Sequence, residues 1–239
     1  RNEMFLECIN QVLKIWEGEP PFTIKGKYWN LAIDRTAILE IGQGQIVRPY
    51  QKPHPPILVT AVAPYSKGVT AAAARGWDPI SANFLQPKWV KTHWPQYEKG
   101  CMAANRIADP ANWRVAKSIF VADTEQKARE YALANDGPYY QYYKSLSTKL
   151  IKAGRANLFK IDQNQADVDL ELDEIVQQLV IFGTPENVTD QLLAFRDEVG
   201  PFGTLLYAGH DWKDRELAVR SMELMATKVM PAINLATGE

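Results

Sequence analysis

The chain has 239 residues, 46% of them hydrophobic, the length of one large α/β domain or two small ones with enough apolar side chain for a substantial core. A formal net charge of −1, with Lys and Arg scattered singly, gives nucleic acid no basic stripe to follow, and no apolar run approaches the roughly 20 residues of a membrane-spanning helix. Cys8 and Cys101 stand far apart without CxxC or Cys-His spacing, and no signal peptide opens the chain, so a reducing, cytoplasmic setting without a structural metal is expected.

The first element is a helix in which Phe5, Cys8, Ile9, Val12 and Trp16 keep amphipathic spacing, with Cys8 on the core stripe. It is already under way at Arg1, where no methionine stands, so the sequence reads as a piece of something longer. Glu17 to Pro21 stop the helix. Phe22–Lys25 and Tyr28–Leu31 then read as a hairpin turning near Gly26 and Lys27. Residues 35–53 form a long connection, in which the GQGQ at Gly42 to Gln45 neither follows a strand nor opens a helix and is read as a plain turn.

The stretch from Pro55 to Phe84, PPILVTAVAPYSKGVTAAAARGWDPISANF, is the most informative part of the chain. Ile57, Leu58 and Val59 predict a parallel strand covered on both faces. A turn, Ala61 to Ser66, leads into a helix whose residues from Val69 to Ala74 are nearly all small, so backbone can approach an anion at its start. An ordinary βα loop with nothing bound is the competing reading of the same turn. The order that follows is strand 79–83, helix 87–105, strand 114–122 and helix 124–135, with Asp123 and Gln126 as a capping box.

A less regular excursion covers about 136–175. It carries Tyr139, Tyr140, Tyr142 and Tyr143, then acidic and Gln-rich residues, and suits a lid over a site or an interface arm. The tyrosines line an apolar tunnel on one reading and form the buried side of a lid helix on the other. Thr184-Pro185-Glu186 announces a helix with Val188, Leu192 and Phe195 inward. The last strand, 204–208, runs into Gly209-His210-Asp211-Trp212, and a closing helix carries Leu217, Leu224, Met225 and Val229 inward and stops before Met230-Pro231. Four strands, each with a helix behind it, make half of an eight-stranded βα barrel; an open, doubly wound sheet is the alternative.

Several segments in order carry a family resemblance. IWEGEPPFTIKGKYW, PHPPILV with TAVAPYS, RGWDPISANF, FGTPENVTDQLLAF and RSMELMATKVMPAI together resemble the C-terminal half to two-thirds of the bacterial luciferase-like flavin monooxygenases, and the HDW turn at His210 to Trp212 with the PISANF strand looks closest to the limonene and alkanal monooxygenase branch. The resemblance implies an α/β fold of the (β/α)8 TIM-barrel type, of which residues 1–239 are the C-terminal part of one domain, about strands 5–8 plus the lid. It further implies reduced FMN as co-substrate from a separate flavin reductase, O2, a small apolar organic substrate such as a terpene, aldehyde or ketone, and a homodimer. On this reading Ala63 and Ser66 hold the flavin phosphate, Lys67 and Gly68 extend the turn, and Asn83 lies beside the isoalloxazine ring. Val62 departs from the pattern, since luciferases have an acid there. Alternatives on the same scaffold are hydride transfer with a deazaflavin and a non-catalytic flavin-binding homologue.

Of the three histidines, His54 between prolines is read as structural and His93, among Trp89 and Trp94, as packing outside the barrel. His210 is the candidate for chemistry, with Asp211 to orient it; capping Trp212 and the last helix is its other reading. Luciferases place their catalytic histidine in the first half of the barrel, so the resemblance transfers no catalytic residue here. Serine-hydrolase and metalloenzyme spacings do not occur.

Overall fold

A computed structural model describes residues 2–35, 37–210 and 213–238. The chain divides into two compact units, 1–57 and 58–239. In the first, helix α1 (Asn2–Glu17) is followed by strands β1 (Phe22–Lys25) and β2 (Asn30–Ile33), an antiparallel hairpin with Lys25 opposite Asn30. The Glu7 carboxylate closes its turn by accepting from the backbone N–H groups of Lys27, Tyr28 and Trp29 at 2.8–2.9 Å. Cys8, expected on the core stripe, is exposed, because the buried position of α1 is Gln11, whose amide donates to the Trp29 carbonyl. Gly42 and Gly44 take left-handed backbone angles beside the Ile38–Gln43 bridge, as a turn requires.

The second unit is built on a parallel five-stranded sheet. Its strands are β3 (Leu58–Ala61), β4 (Asp78–Ser81), β5 (Arg114–Val121), β6 (Val180–Gly183) and β7 (Thr204–Ala208). They run β3-β4-β5-β6, with β7 also pairing β5. Thr60 lies beside Ile80, Ser81 beside Val115, Ser118 beside Ala208, and Phe120 beside Phe182. Among the described residues the sheet does not close into a barrel. β6 is a fifth strand beyond the four that the sequence predicts, because its four residues merge with the apolar end of the preceding helix. β3 departs from its expected cover on both faces: it stands at the end of the strand order, and Leu58 and Thr60 are exposed while Ala61 is buried.

The helices are α2 (Lys67–Ala73), α3 (Pro87–Val90), α4 (His93–Ala103), α5 (Glu125–Ala132), α6 (Pro138–Lys152), α7 (Leu172–Leu179), α8 (Pro185–Val199), α9 (Arg215–Leu224) and α10 (Met230–Thr237). The helix expected over 87–105 is broken between α3 and α4, since Pro95 in the first turn of α4 has no N–H to continue the ladder. Thr124, not Asp123, caps α5 by accepting from Lys127 N–H; the Asp123 carboxylate is taken by the Arg220 guanidinium at 2.7 Å, which holds its pKa below the usual carboxylate range. The final helix also runs on past Met230-Pro231. A π-helical turn, Met225–Val229, widens the ladder there and leaves Pro231 in the first turn of α10, where a missing N–H costs little.

β5 is the buried centre. Ile119 and Val121 pack with Val188, Leu192 and Leu224, while Phe120 stacks on Tyr131 at 4.2 Å and meets Tyr139 edge-on. Gly100 lets α4 lie against α2, since a Cβ there would stand 2.3 Å from the Thr70 carbonyl oxygen. Thr184 caps α8 as expected, accepting from Asn187 N–H. Thr184→Ala is expected to cost about 1 kcal/mol, read as a lower urea midpoint with an unchanged slope. No helix among the described residues is long and apolar enough to cross a membrane.

Candidate functional site

β3 ends at Ala61, whose carbonyl accepts from Ala82 N–H at 3.0 Å, so the turn that follows starts beside the strand end carrying Asn83. The turn is tied at four points. Arg155 donates to the Val62 carbonyl at 2.6 Å, His93 Nε2 lies 2.9 Å from the Ala63 carbonyl, Tyr65 N–H donates to Thr92 Oγ1 at 2.9 Å, and Ser66 Oγ accepts from Val69 N–H at 3.3 Å. Tyr65 sits at φ 51, a left-handed conformation that those bonds hold in place. Lys67 and Gly68 open α2 and are exposed.

His93 is not an outer packing residue. It is fully buried, and its Nδ1 lies 2.8 Å from Ser81 Oγ, which also accepts from Trp113 Nε1 at 3.0 Å. Because a carbonyl only accepts, Nε2 carries the ring proton and Nδ1 accepts from Ser81. The ring is thereby satisfied in its neutral form, and burial draws its pKa below the ordinary value. The local spacing carries no sign of this link between α4, β4, the turn and Trp113, the residue before β5. His54, by contrast, stays local: its Nδ1 lies 2.8 Å from the Pro55 carbonyl and its ring 6.4 Å from Trp16.

A second cluster gathers around Ser118. Asn83 Nδ2 donates to Ser118 Oγ at 2.9 Å, Tyr143 Oη lies 2.9 Å from the same oxygen, and His210 Nε2 lies 3.0 Å from it. Tyr142 Oη donates to Asn83 Oδ1 at 3.1 Å, and its ring lies over His210 with centroids 4.2 Å apart. The tyrosines of α6 divide. Tyr139 and Tyr143 are buried, which raises their pKa values and keeps both phenols protonated, and Tyr139 donates to the Ile119 carbonyl at 2.5 Å. Tyr142 instead borders an open cleft of about 880 Å³, together with Gln141, Ser145, Leu146, Lys149 and His210. Tyr139 and Tyr143 thus lie on the buried side of α6, while Tyr142 faces an open cleft of mixed polar and apolar lining.

Thus two of the residues singled out in the sequence, Asn83 and His210, meet through a third that was not, Ser118. The signal was present: Lys117 and Ser118 interrupt an otherwise apolar strand. Ala63, Ser66, Lys67 and Gly68 share the turn after β3. Asp211 and Trp212 lie outside the described residues.

The family model described as luciferase-like monooxygenase matches residues 1–200. The 3,6-diketocamphane 1,6-monooxygenase of Pseudomonas putida is 29% identical over 240 residues, 98% of this chain and 62% of that protein. Limonene 1,2-monooxygenase of Rhodococcus erythropolis is 28% identical over 173 residues, 71% of this chain and 39% of that protein. Among solved structures, a type II Baeyer-Villiger monooxygenase, the oxygenating constituent of 3,6-diketocamphane monooxygenase from the CAM plasmid of Pseudomonas putida in complex with FMN, superposes with a TM-score of 0.79 at 28% identity, covering 97% of this chain and 63% of that one. The chain thus spans less than two thirds of the length of these relatives.

Proposed function

The chain belongs to the luciferase-like monooxygenase family, and from that membership we propose that it is the C-terminal part of a (β/α)8 barrel, about strands 5–8 with a lid over 136–175. The enzyme would use reduced FMN from a separate reductase, and O2, to oxygenate a small apolar molecule such as a terpene, aldehyde or ketone. A cytoplasmic homodimer completes the reading. The observation that carries it is the likeness, across 97% of this chain, to a monooxygenase solved with FMN. The parallel pairing of all five strands, β3 to β7, supports the barrel, and sites in that fold gather at the C-terminal strand ends. The turn after β3, Asn83 after β4 and His210 after β7 stand there.

The residues present fit a flavin phosphate. Ser66 spends a lone pair on Val69 N–H and keeps its O–H to donate, Lys67 supplies positive charge, and a Cβ at Gly68 would come 3.3 Å from the Ser66 hydroxyl. The Val62 and Ala63 carbonyls, which would repel an anion, are engaged by Arg155 and His93. Reduced FMN, when bound, supplies the electrons that activate oxygen. The chain itself contributes position and shelter: Asn83 and the Ser118 cluster form polar ground, and Tyr142 and Leu146 offer apolar surface to the substrate.

Ser66→Asp tests the cofactor site. Aspartate caps a helix as well as serine does, so the fold is kept, while its charge opposes the phosphate. FMN affinity, read by fluorescence titration, is expected to fall about tenfold; unchanged affinity would remove the phosphate site. Supplying reduced FMN, O2 and a bicyclic ketone or monoterpene to the purified protein tests the activity. Oxygenated product is the expected result; no product here, with hydride transfer to the ketone when a reduced deazaflavin replaces FMN, would put a deazaflavin enzyme in its place.

A further inference from the structure

The protons of the Ser118 cluster form one directed arrangement. Tyr143 is buried, with its phenol oxygen 2.9 Å from Ser118 Oγ; a buried O–H that donates to nothing costs free energy, so the phenol is assigned as the donor of this pair. Asn83 Nδ2 donates to the same oxygen, and that orientation of the amide is held by Tyr142, which donates to Oδ1. Two donors fill both lone pairs of the Ser118 hydroxyl. Its own proton then has one place to go, which is His210 Nε2 at 3.0 Å.

We propose that Asn83, Ser118 and Tyr143 are positioning residues that fix His210 as the neutral tautomer protonated on Nδ1, so that any hydrogen bond its other edge makes is one it donates. Protonating Nε2 would bring a third donor to an oxygen with two lone pairs, so the imidazolium is opposed by geometry. The tautomer does not rest on the proposed function. His93 provides the internal contrast, since its Nε2 faces the Ala63 carbonyl and must be protonated.

The test is nitrogen NMR of the full chain labelled in its three histidines, assigned through His54→Gln and His210→Asn. In the unmodified protein at neutral pH, His93 is expected to carry its proton on Nε2 and His210 on Nδ1. Asn83→Asp replaces a donor with an acceptor: Ser118 turns its proton to the new carboxylate, and His210 must move its own to Nε2 to donate to Ser118. A His210 already protonated on Nε2 or charged in the unmodified protein overturns the proposal. So does a tautomer unmoved by Asn83→Asp in a protein that still shows the His93 signature of an intact fold. Ser118→Ala, which removes the proton given to Nε2, is the second variant, and loss of the Nδ1-protonated signal is expected. No FMN enters these measurements, so failure to bind FMN would remove the functional reading and leave the tautomer standing.

Discussion

Lys117→Met is expected to stabilise the protein at neutral pH. Lys117 lies on β5 among apolar side chains, 2% exposed, with its ammonium 3.5 Å from the Leu85 carbonyl and 5.2 Å from the centre of the Phe195 ring. Among the described residues no carboxylate reaches it as an ion pair. Burial alone pulls its pKa from 10.5 down to about 8. Below pH 8 the amine is charged in folded and unfolded chain alike, and the folded state bears the full desolvation cost. Between about 8 and 10.5 the unfolded chain binds the extra proton, so stability rises with pH across that window. At 1.36 kcal/mol per pH unit the cost is about 3 kcal/mol. Methionine fills similar space without a charge, so the variant should melt roughly 6–12 °C higher at pH 7 and lose the alkaline rise. Equal or lower melting, with the pH slope retained, would show that the amine is better solvated than its surroundings indicate.

His93→Leu is expected to act in the opposite direction and to reach the cofactor turn. The imidazole joins the Ala63 carbonyl to Ser81, and through it to Trp113. Leucine keeps the apolar volume and removes both bonds, leaving the half-buried Ala63 carbonyl without this donor and the buried Ser81 hydroxyl, which still accepts from Trp113, without an acceptor for its proton. Each such group costs about 1–3 kcal/mol, so a loss of about 3 kcal/mol is expected, seen as a lower denaturant midpoint. The turn loses its tie at Ala63, and on the proposed function FMN binding weakens with it. Burial lowers the His93 pKa from 6.5, so the unfolded chain binds more protons below that pH and stability falls on acidification. The variant should lose that part of the acid slope. A variant as stable as the parent between pH 5 and 7 would mean that the network contributes nothing to the fold.

The two residues show where sequence reading stops. Both are basic side chains in apolar surroundings, and their neighbours in the chain do not reveal that one is fully paired and the other almost alone. His93 finds its partners at residues 63 and 81, and Lys117 meets Leu85 and Phe195. The periodic elements were legible because their signals are local. The Thr184-Pro185 cap, the apolar run before Ala61 and the Ser66 start of α2 all stand where the spacing put them. Boundaries failed where a partner distant in the chain took the capping group, as Arg220 did with Asp123. They failed as well where a proline met a helix able to absorb it, as at Pro231, and where four strand residues had no border of their own, as in β6.

By itself the sequence determined four of the five parallel strands and the helices beside them, the parallel α/β class and the family, since alternation, capping residues and ordered motifs are properties of contiguous residues. It also marked Asn83 and His210 as separate candidates. Only the tertiary structure decided that they share one hydroxyl, that Tyr142 faces the cleft while Tyr143 lies beneath it, and that His93 anchors the turn. Hydrogen bonds between groups 12 to 92 residues apart are fixed by how the strands and helices pack, and the local pattern of a chain carries no record of that distance.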